Sequence, residues 1–404
     1  MNSIDDYIKQ AEDWSAHNYN PLSIVLEYGE GIWVYDIEGK KYMDMLSAYS
    51  SLNQGHRHPS IINSLIEQAG KITITSRAFH NSKMGEFLEK LCKLSGFEKA
   101  LPMNTGSEAV ETALKAARKW GYSKRGIPVN KGEIIVCNNN FHGRTITIIS
   151  FSSEEQYKSG FGPYTPGFKI IEYGNSKALQ EAINDNTIAF LVEPIQGEGG
   201  VIVPSDGYLT EIRKITRENN ILLIFDEIQT GFGRTGKMFA YEYEGAKPDI
   251  LAVGKALGGG VYPVSAVLTS KDVMDVFKPG DHGSTFGGNP LAAAVAIASM
   301  NVLVDEQLAQ RSMELGNYFL KCLKNLNLEC VREIRGKGLM IGVEIKKEYG
   351  TARVYCEKLM CKGILCKETH DQTIRFSPPL IINKDEIDWA LKQIEDVLNI
   401  SEHM

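Results

Sequence analysis

Between about residues 85 and 270 the apolar residues fall into two alternating rhythms. Short runs of strand length occur at 99–103, 133–137, 145–151, 168–173, 188–193, 221–226, 249–254 and 265–269. Between them, segments near 84–95, 107–120, 176–184 and 207–219 have helix-like composition and spacing. Strands that alternate with helices build a mostly parallel sheet with helices on its faces. The pattern therefore predicts an α/β layer fold. Before this region, residues 5–18 read as a helix or arm, and 24–46 as a β meander turning at Asp36–Lys40. Pro59 suits the first turn of a helix reaching about Ala69. After the turn Gly287-Gly288-Asn289-Pro290 the texture changes. Leu291–Val304 is almost uncharged and reads as a buried helix, and an amphipathic helix follows over 306–325. Short strands near 328–333, 339–345, 364–367 and 373–377, with helices near 351–361 and 384–398, suggest a smaller α+β unit. Both chain ends are strand-rich. The expected division is a large domain over 54–290 and a small domain built from 1–53 together with 291–404.

Composition narrows the function classes. The 404 residues are 43% hydrophobic and 23% charged, with a net charge of −6 and no long basic cluster. Neither nucleic acid nor an acidic membrane surface is an expected partner. The seven cysteines include no Cys-x-x-Cys pair, and their number is odd, which suggests reduced thiols in a cytoplasmic protein. Cys356, Cys361 and Cys366 lie five apart, a spacing that does not suit zinc, and no metal is expected. The N-terminus has neither an apolar signal core nor an Arg-rich transit pattern, and no apolar run approaches the ~18 residues of a transmembrane helix.

The chemistry concentrates at strand ends, where ligands bind in open α/β sheets. The run Ile221–Phe225 leads into Asp226, and Ile250–Gly254 delivers Lys255 into the glycines 258–260. An acid and a lysine so placed suit pyridoxal phosphate (PLP). The amine can hold the cofactor aldehyde covalently, and the carboxylate can keep the pyridine nitrogen protonated. By itself the pair also fits a plain ion pair. Gly106-Ser107 opens a helix after a strand and offers first-turn amides to a phosphate, without the Gly-Lys-Ser/Thr of a P-loop. Gly231–Gly236 fits G-x-G-x-x-G, but the aromatic stretch after it reads as strand or loop, so a dinucleotide site is not expected. Phe141 can stack on a planar ring and Arg144 can hold a carboxylate. Glu193 and Glu198 end another strand, where acids can orient a lysine or gate an arginine, and Arg375 precedes the strand-ending prolines 378–379. His56, His58 and His142 are scattered over loops and read as solvated or turn histidines.

In order and separation, Asn104–Ala109, Phe141–Thr145, Asp226–Gly236 and Gly254-Lys255 resemble the class III (ω-) PLP aminotransferases. The most specific element is Asp226-Glu227-x-Gln229-x-Gly231-x-Gly233-Arg234-x-Gly236, followed by the lysine. The resemblance covers nearly the whole chain. Within the family the chain looks most like the ornithine δ-aminotransferase branch, through Ala16–Tyr19, Leu46–Ser50, Glu193–Glu198, His282–Pro290 and Arg375–Pro379. It implies the PLP-dependent transferase fold type I, and a homodimer or dimer-based oligomer with active sites at the subunit interface. Lys255 would carry the cofactor and shuttle a proton, with Asp226 at the pyridine nitrogen and Gln229 at the ring hydroxyl. Phe141 and Ile228 would cover the two ring faces. Gly106 and Ser107 would hold the phosphate, with Ser284 and Thr285 of the partner subunit. Tyr19 and Arg144 would hold the α-carboxylate of L-ornithine, with Tyr49 lining the pocket and Glu193 just behind the contacts. Arg375 would bind the α-carboxylate of 2-oxoglutarate, and Glu198 would mask Arg375 until then. The implied reaction moves the δ-amino group of L-ornithine to 2-oxoglutarate. It gives glutamate and glutamate 5-semialdehyde, which cyclises to pyrroline-5-carboxylate, in arginine or proline metabolism. An ω-aminotransferase of acetylornithine, 4-aminobutyrate or lysine is the alternative. Two departures stand out. His142 replaces a tryptophan of some ornithine enzymes, an exchange expected to matter little. Gly199-Gly200 stands where Ala-Gly is commoner, which is expected to loosen the loop after Glu198.

Overall fold

The computed structural model describes residues 3–399. Residues 1–2 and 400–404, the outer ends of the expected small domain, lie outside the described residues. The chain enters through a helix, Ile4–Trp14, and an irregular segment. It then forms the antiparallel meander β1 (Leu26–Glu30), β2 (Trp33–Asp36) and β3 (Lys41–Asp44). Seven strands follow: β4 (Lys99–Met103), β5 (Glu133–Cys137), β6 (Phe168–Ile171), β7 (Thr187–Val192), β8 (Leu222–Asp226), β9 (Ile250–Val253) and β10 (Ser265–Thr269). They form one sheet in the order β4-β10-β9-β8-β7-β5-β6. Pairings from β9 through β6 are parallel, and only β10 runs against its two neighbours. The expected mostly parallel sheet is present. The last strands are β11 (Val331–Lys337), β12 (Met340–Ile345), β13 (Ile364–Leu365), β14 (Lys367–Thr369) and β15 (Thr373–Phe376). Four of them make the sheet β11-β12-β15-β14, while β13 joins the meander and pairs in parallel with β3, Ile364 against Met43.

Burial explains the central sheet. Every residue of β7, β8, β9 and β10 is buried, as expected of strands covered on both faces. Removing a side chain such as Ile224 or Phe225 from water contributes about 1.5–3 kcal/mol each. The helix Gly106–Ser123 buries Ala109, Val110, Ala113, Leu114 and Ala117 and packs on β9 and β10, its alanines leaving room for the close approach. Its start is fixed by a capping box: Thr105 accepts from the Glu108 amide while Glu108 accepts from the Thr105 amide. The helix Pro290–Asp305 is buried almost throughout and packs on the helices Pro59–Ala69 and Met84–Ser95. Among the described residues no single helix is long and apolar enough to cross a membrane.

One segment departs from its expected state. The β-branched stretch 145–151 is not a strand; Ile146–Ser150 forms a short helix. Thr145 caps it, its hydroxyl accepting from the Ile148 amide at 3.4 Å. The cap satisfies a first-turn donor that the residues' strand preference would leave unmet.

A staple joins the loop after β8 to the C-terminal sheet. Glu227, fully buried, accepts from the amides of Ala240 at 2.7 Å and Tyr241 at 3.0 Å and from the Thr230 hydroxyl at 2.9 Å. Burial pushes its carboxyl up to about 7. Arg234, also buried, donates to the carbonyls of Leu339 and Pro378 and to Asn53 Oδ1. Burial lowers its guanidinium to about 9. No helix starts at 231–236, whose residues form turns.

Candidate active site

The strand ends converge on a cavity of about 250 Å³. From the β4 side, Gly106 and Ser107 open a helix, and as first-turn residues their amides have no intrahelical acceptor. From the loop after β5 come Phe141, His142 and Arg144; β7 brings Glu193 and, further on, Glu198. Asp226 ends β8, with Ile228 and Gln229 just past it, and beyond β9 stands Lys255. The cavity thus brings together eleven of the residues singled out from the sequence.

Lys255 is held in the left-handed region, φ +46°, a conformation costing about 1–3 kcal/mol for a side-chain-bearing residue. The turn around it is closed by backbone hydrogen bonds from Leu257 to the Gly254 carbonyl and from Gly259 to the Ala256 carbonyl. Burial lowers the Lys255 ammonium below its ordinary range; Arg375 adds to this, while Glu198, Asp226 and Glu193 oppose it. Asp226 Oδ1 accepts from the Ile228 amide at 3.0 Å, and its Oδ2 lies 2.7 Å from His142 Nδ1. His142 is fully buried. Burial works against its charge, yet the Asp226 hydrogen bond and charge prevail and raise its affinity for a proton. Among the described residues its Nε2 has no hydrogen-bond partner. Glu193 accepts from the amides of Phe141 at 3.0 Å and Gly197 at 3.3 Å. Burial and Asp226 push its carboxyl up to about 7, against the pull of His142.

A second cluster closes one wall. Arg375 is 1% exposed and donates to Glu198 Oε1 at 2.5 Å. Gln229 also donates to Glu198 Oε1, at 3.1 Å, and its own Oε1 lies 3.4 Å from Arg375 Nη1. Burial alone would raise the Glu198 carboxyl, but Arg375 first and Lys255 next hold it down at about 2. The Arg375 guanidinium lies 5.0 Å from the Tyr49 ring centroid. Arg144 stacks on Tyr157 at 3.7 Å and on Phe141 at 5.6 Å, with no carboxylate at ion-pair distance among the described residues.

Other expected residues lie farther out. Tyr19 is 76% exposed, and it lines, with Tyr49, a neighbouring cavity of about 520 Å³ rather than the one around Lys255. Ser284 accepts from Asn104 Nδ2 at 2.9 Å and Thr285 is exposed; neither lines the cavity of its own chain. Two sequence expectations need correction. The three histidines are not solvated turn residues. His56 pairs with Asp44 and His58 with Glu306, each at 2.8 Å, and His142 is buried against Asp226. The loop after Glu198 is also not slack. A Cβ on Gly199 would come within 2.9 Å of the Asn139 carbonyl oxygen, and the Thr369 hydroxyl donates to the Glu198 carbonyl at 2.6 Å. Glycine is what lets the two loops close together.

The residues fit PLP. A buried amine of weakened basicity, an aligned carboxylate, an aromatic and an aliphatic wall, and a helix start with unmatched amides face one cavity. Gly106 adds a steric reason: a Cβ there would press to 3.1 Å from Ile228 Cδ1. No group of three or more His, Cys, Asp or Glu among the described residues is placed to hold a metal ion.

Comparison with known proteins agrees with this geometry. The family model for class-III aminotransferases matches residues 14–398. An ornithine aminotransferase of Brevibacillus brevis is 58% identical over 402 residues, all of both chains. The crystal structure of the ornithine aminotransferase from Toxoplasma gondii superposes with a TM-score of 0.97 at 45% identity, covering 98% of this chain and 95% of that one. That of an acetylornithine aminotransferase from Elizabethkingia anophelis gives 0.90 at 46% identity, covering 98% and 99%.

Proposed function

The chain belongs to the class-III aminotransferase family, and from that premise we propose that it moves the δ-amino group of L-ornithine to 2-oxoglutarate. It is a transaminase, and its cofactor is PLP. When bound, PLP supplies an aldehyde that carries the amino group and a ring that accepts electrons. Lys255 would carry it, Asp226 would face the ring nitrogen, Phe141 and Ile228 would flank the ring, and Gly106 and Ser107 would meet the phosphate. Gln229 lies within reach of the same cavity while bound to Glu198.

The observation that carries the substrate reading is the state of the two arginines. Arg375 is neutralised by Glu198, whereas Arg144 stacks on aromatic rings and has no carboxylate at ion-pair distance among the described residues. In that state the cavity offers one free cation for one carboxylate. A donor with a carboxylate at one end and a cationic amine at the other then enters amine first, with Arg144 and Tyr19 taking its carboxylate. Lys255 Nζ, kept from holding its proton tightly, would take the proton from the donor's amine-bearing carbon, pass it toward the cofactor, and in the second half-reaction deliver one to the acceptor's keto carbon. The second substrate brings two carboxylates. One competes with Glu198 for Arg375 and the other goes to Arg144. A buried arginine with no partner at all would cost about 3–5 kcal/mol, so the exchange keeps Arg375 paired throughout.

The same proposal includes a cytoplasmic homodimer. Ser284 and Thr285 of the partner subunit would complete the phosphate contacts, and Glu193 would support the site from behind. It also includes a large domain over 54–290 and a small one from 1–53 with 291–404, a division supported by the β3–β13 pairing. The test is a panel of amino donors with 2-oxoglutarate, trapping the semialdehyde with an aromatic amine. L-Ornithine is expected to have the highest kcat/KM. Faster turnover of N-acetylornithine, 4-aminobutyrate or lysine would overturn the reading.

A further inference from the structure

The segment between Trp14 and Leu26 carries Tyr19 but has little to hold it. Residues 15–21 are exposed, and the Asn18-to-Ala16 and Ile24-to-Leu22 backbone hydrogen bonds are local. Ile24 packs beside Val34, Tyr42 and Leu365, an apolar seat at the far end of the segment. Among the described residues, hydrogen bonds reaching residues 15–24 from elsewhere in the chain come from one side chain. Arg353 donates from Nη1 to the Asn20 carbonyl at 2.9 Å and from Nη2 to the Pro21 carbonyl at 3.0 Å. Proline offers no amide of its own and holds the preceding residue extended, so neighbouring carbonyls are the natural handle here.

The guanidinium is itself fixed. Its Nε donates to Glu357 Oε1 at 2.7 Å, and Nη1 lies 3.6 Å from Glu368 Oε1. Glu368 belongs to β14, whose Thr369 hydroxyl donates to the Glu198 carbonyl. Arg353 also lines the cavity that Tyr19 and Tyr49 share. One strand therefore connects the arginine on the segment with the acid that masks Arg375.

We propose that Arg353 is a positioning residue for donor recognition: its planar fork grips two successive carbonyls and holds Tyr19 at the mouth of the site. It never touches substrate. The proposal rests on the reading of Tyr19 as an anchor for the donor's carboxylate, and the experiment separates the two.

The holoenzymes of wild type, Arg353→Met, Arg353→Lys, Tyr19→Phe and Arg353→Met/Tyr19→Phe are compared with L-ornithine and with 4-aminobutyrate, whose carboxylate lies one carbon nearer its amine. Arg353→Met is expected to raise KM for L-ornithine roughly tenfold while kcat stays within about twofold, the signature of lost substrate binding without lost chemistry. The effect on 4-aminobutyrate should be much smaller. Lysine, a point donor rather than a fork, should rescue only part. The double variant should be no worse than Tyr19→Phe alone, because both act through one contact. Independently of activity, chymotrypsin should nick Arg353→Met faster than wild type at Trp14, Tyr19 or Leu22. If Tyr19→Phe raises the ornithine KM but Arg353→Met changes neither KM nor nicking, the clamp alone is overturned. Equal losses with both donors, or a fall confined to kcat, overturn it as well. If Tyr19→Phe leaves the ornithine KM unchanged, the anchor reading falls and takes the clamp with it.

Discussion

His142 shows how much one buried contact can decide. Its Nδ1 hydrogen at Asp226 Oδ2 leaves that carboxylate with an aligned partner, and the Ile228 amide supplies the other. Replacing the ring by Phe keeps bulk but removes the donor. His142→Phe should therefore weaken PLP binding roughly tenfold, about 1.4 kcal/mol, in a cofactor titration followed by absorbance. The pH at which the bound cofactor changes colour should move as well, which a purely structural role would not cause. Lys255→Ala tests the other centre. Turnover should fall by about 10³-fold or more, and borohydride should fix PLP on the wild-type protein at Lys255 but not on the variant. Lys255 and Asp226 were legible in the sequence because each ends an unbroken apolar run, and strand ends are where such folds bind ligands. The part played by His142 was not, since its partner lies 84 residues away and only the sheet order brings β5 and β8 to one edge.

Elements place these residues, and the loop after β8 places most. Glu227 and Glu193 share one electrostatic property: burial lifts each carboxyl from an ordinary 4.5 to about 7. Between those values the folded chain keeps a proton that the unfolded chain releases. Stability should therefore fall as pH rises from 4.5 to 7, by about 3 kcal/mol for each group. Glu227→Gln resembles the protonated form, so urea unfolding at pH 5 and pH 7.5 should show a smaller pH dependence than wild type. The Glu198–Arg375 pair makes a second prediction at this scale. Glu198→Ala uncovers Arg375, so KM for 2-oxoglutarate should fall while that for L-ornithine rises, measured by varying each substrate in turn. Periodicity foretold most elements to within a few residues, because long apolar segments admit one buried face. It failed over 145–151, where a capped helical turn forms despite four β-branched residues, Ile146, Thr147, Ile148 and Ile149. It was also silent about the backbone carbonyls that Arg234 and Arg353 grip, since a carbonyl carries no side-chain signature.

For the whole molecule the proposed dimer is the main open step to test. Thr285 is exposed and outside its own chain's cavity, so a carboxylate there should leave the subunit fold intact. Thr285→Asp should nonetheless weaken PLP binding, by placing a negative charge near the phosphate held in the other subunit, with dimerisation by sedimentation unchanged. The pairing of β3 with β13 carries a further consequence, for the order in which the molecule comes into being. Met43 leaves the ribosome long before Ile364, the residue it pairs with. Until then the edge of β3 stays open, with unpaired amides and carbonyls of the kind that capture stray strands. The central sheet, whose strands all lie between Lys99 and Thr269, has no such wait. A nascent chain should therefore own a folded cofactor-binding layer well before it owns the meander that frames the substrate. Synthesis of β13, rather than of Lys255, is then the event that closes the frame around the site.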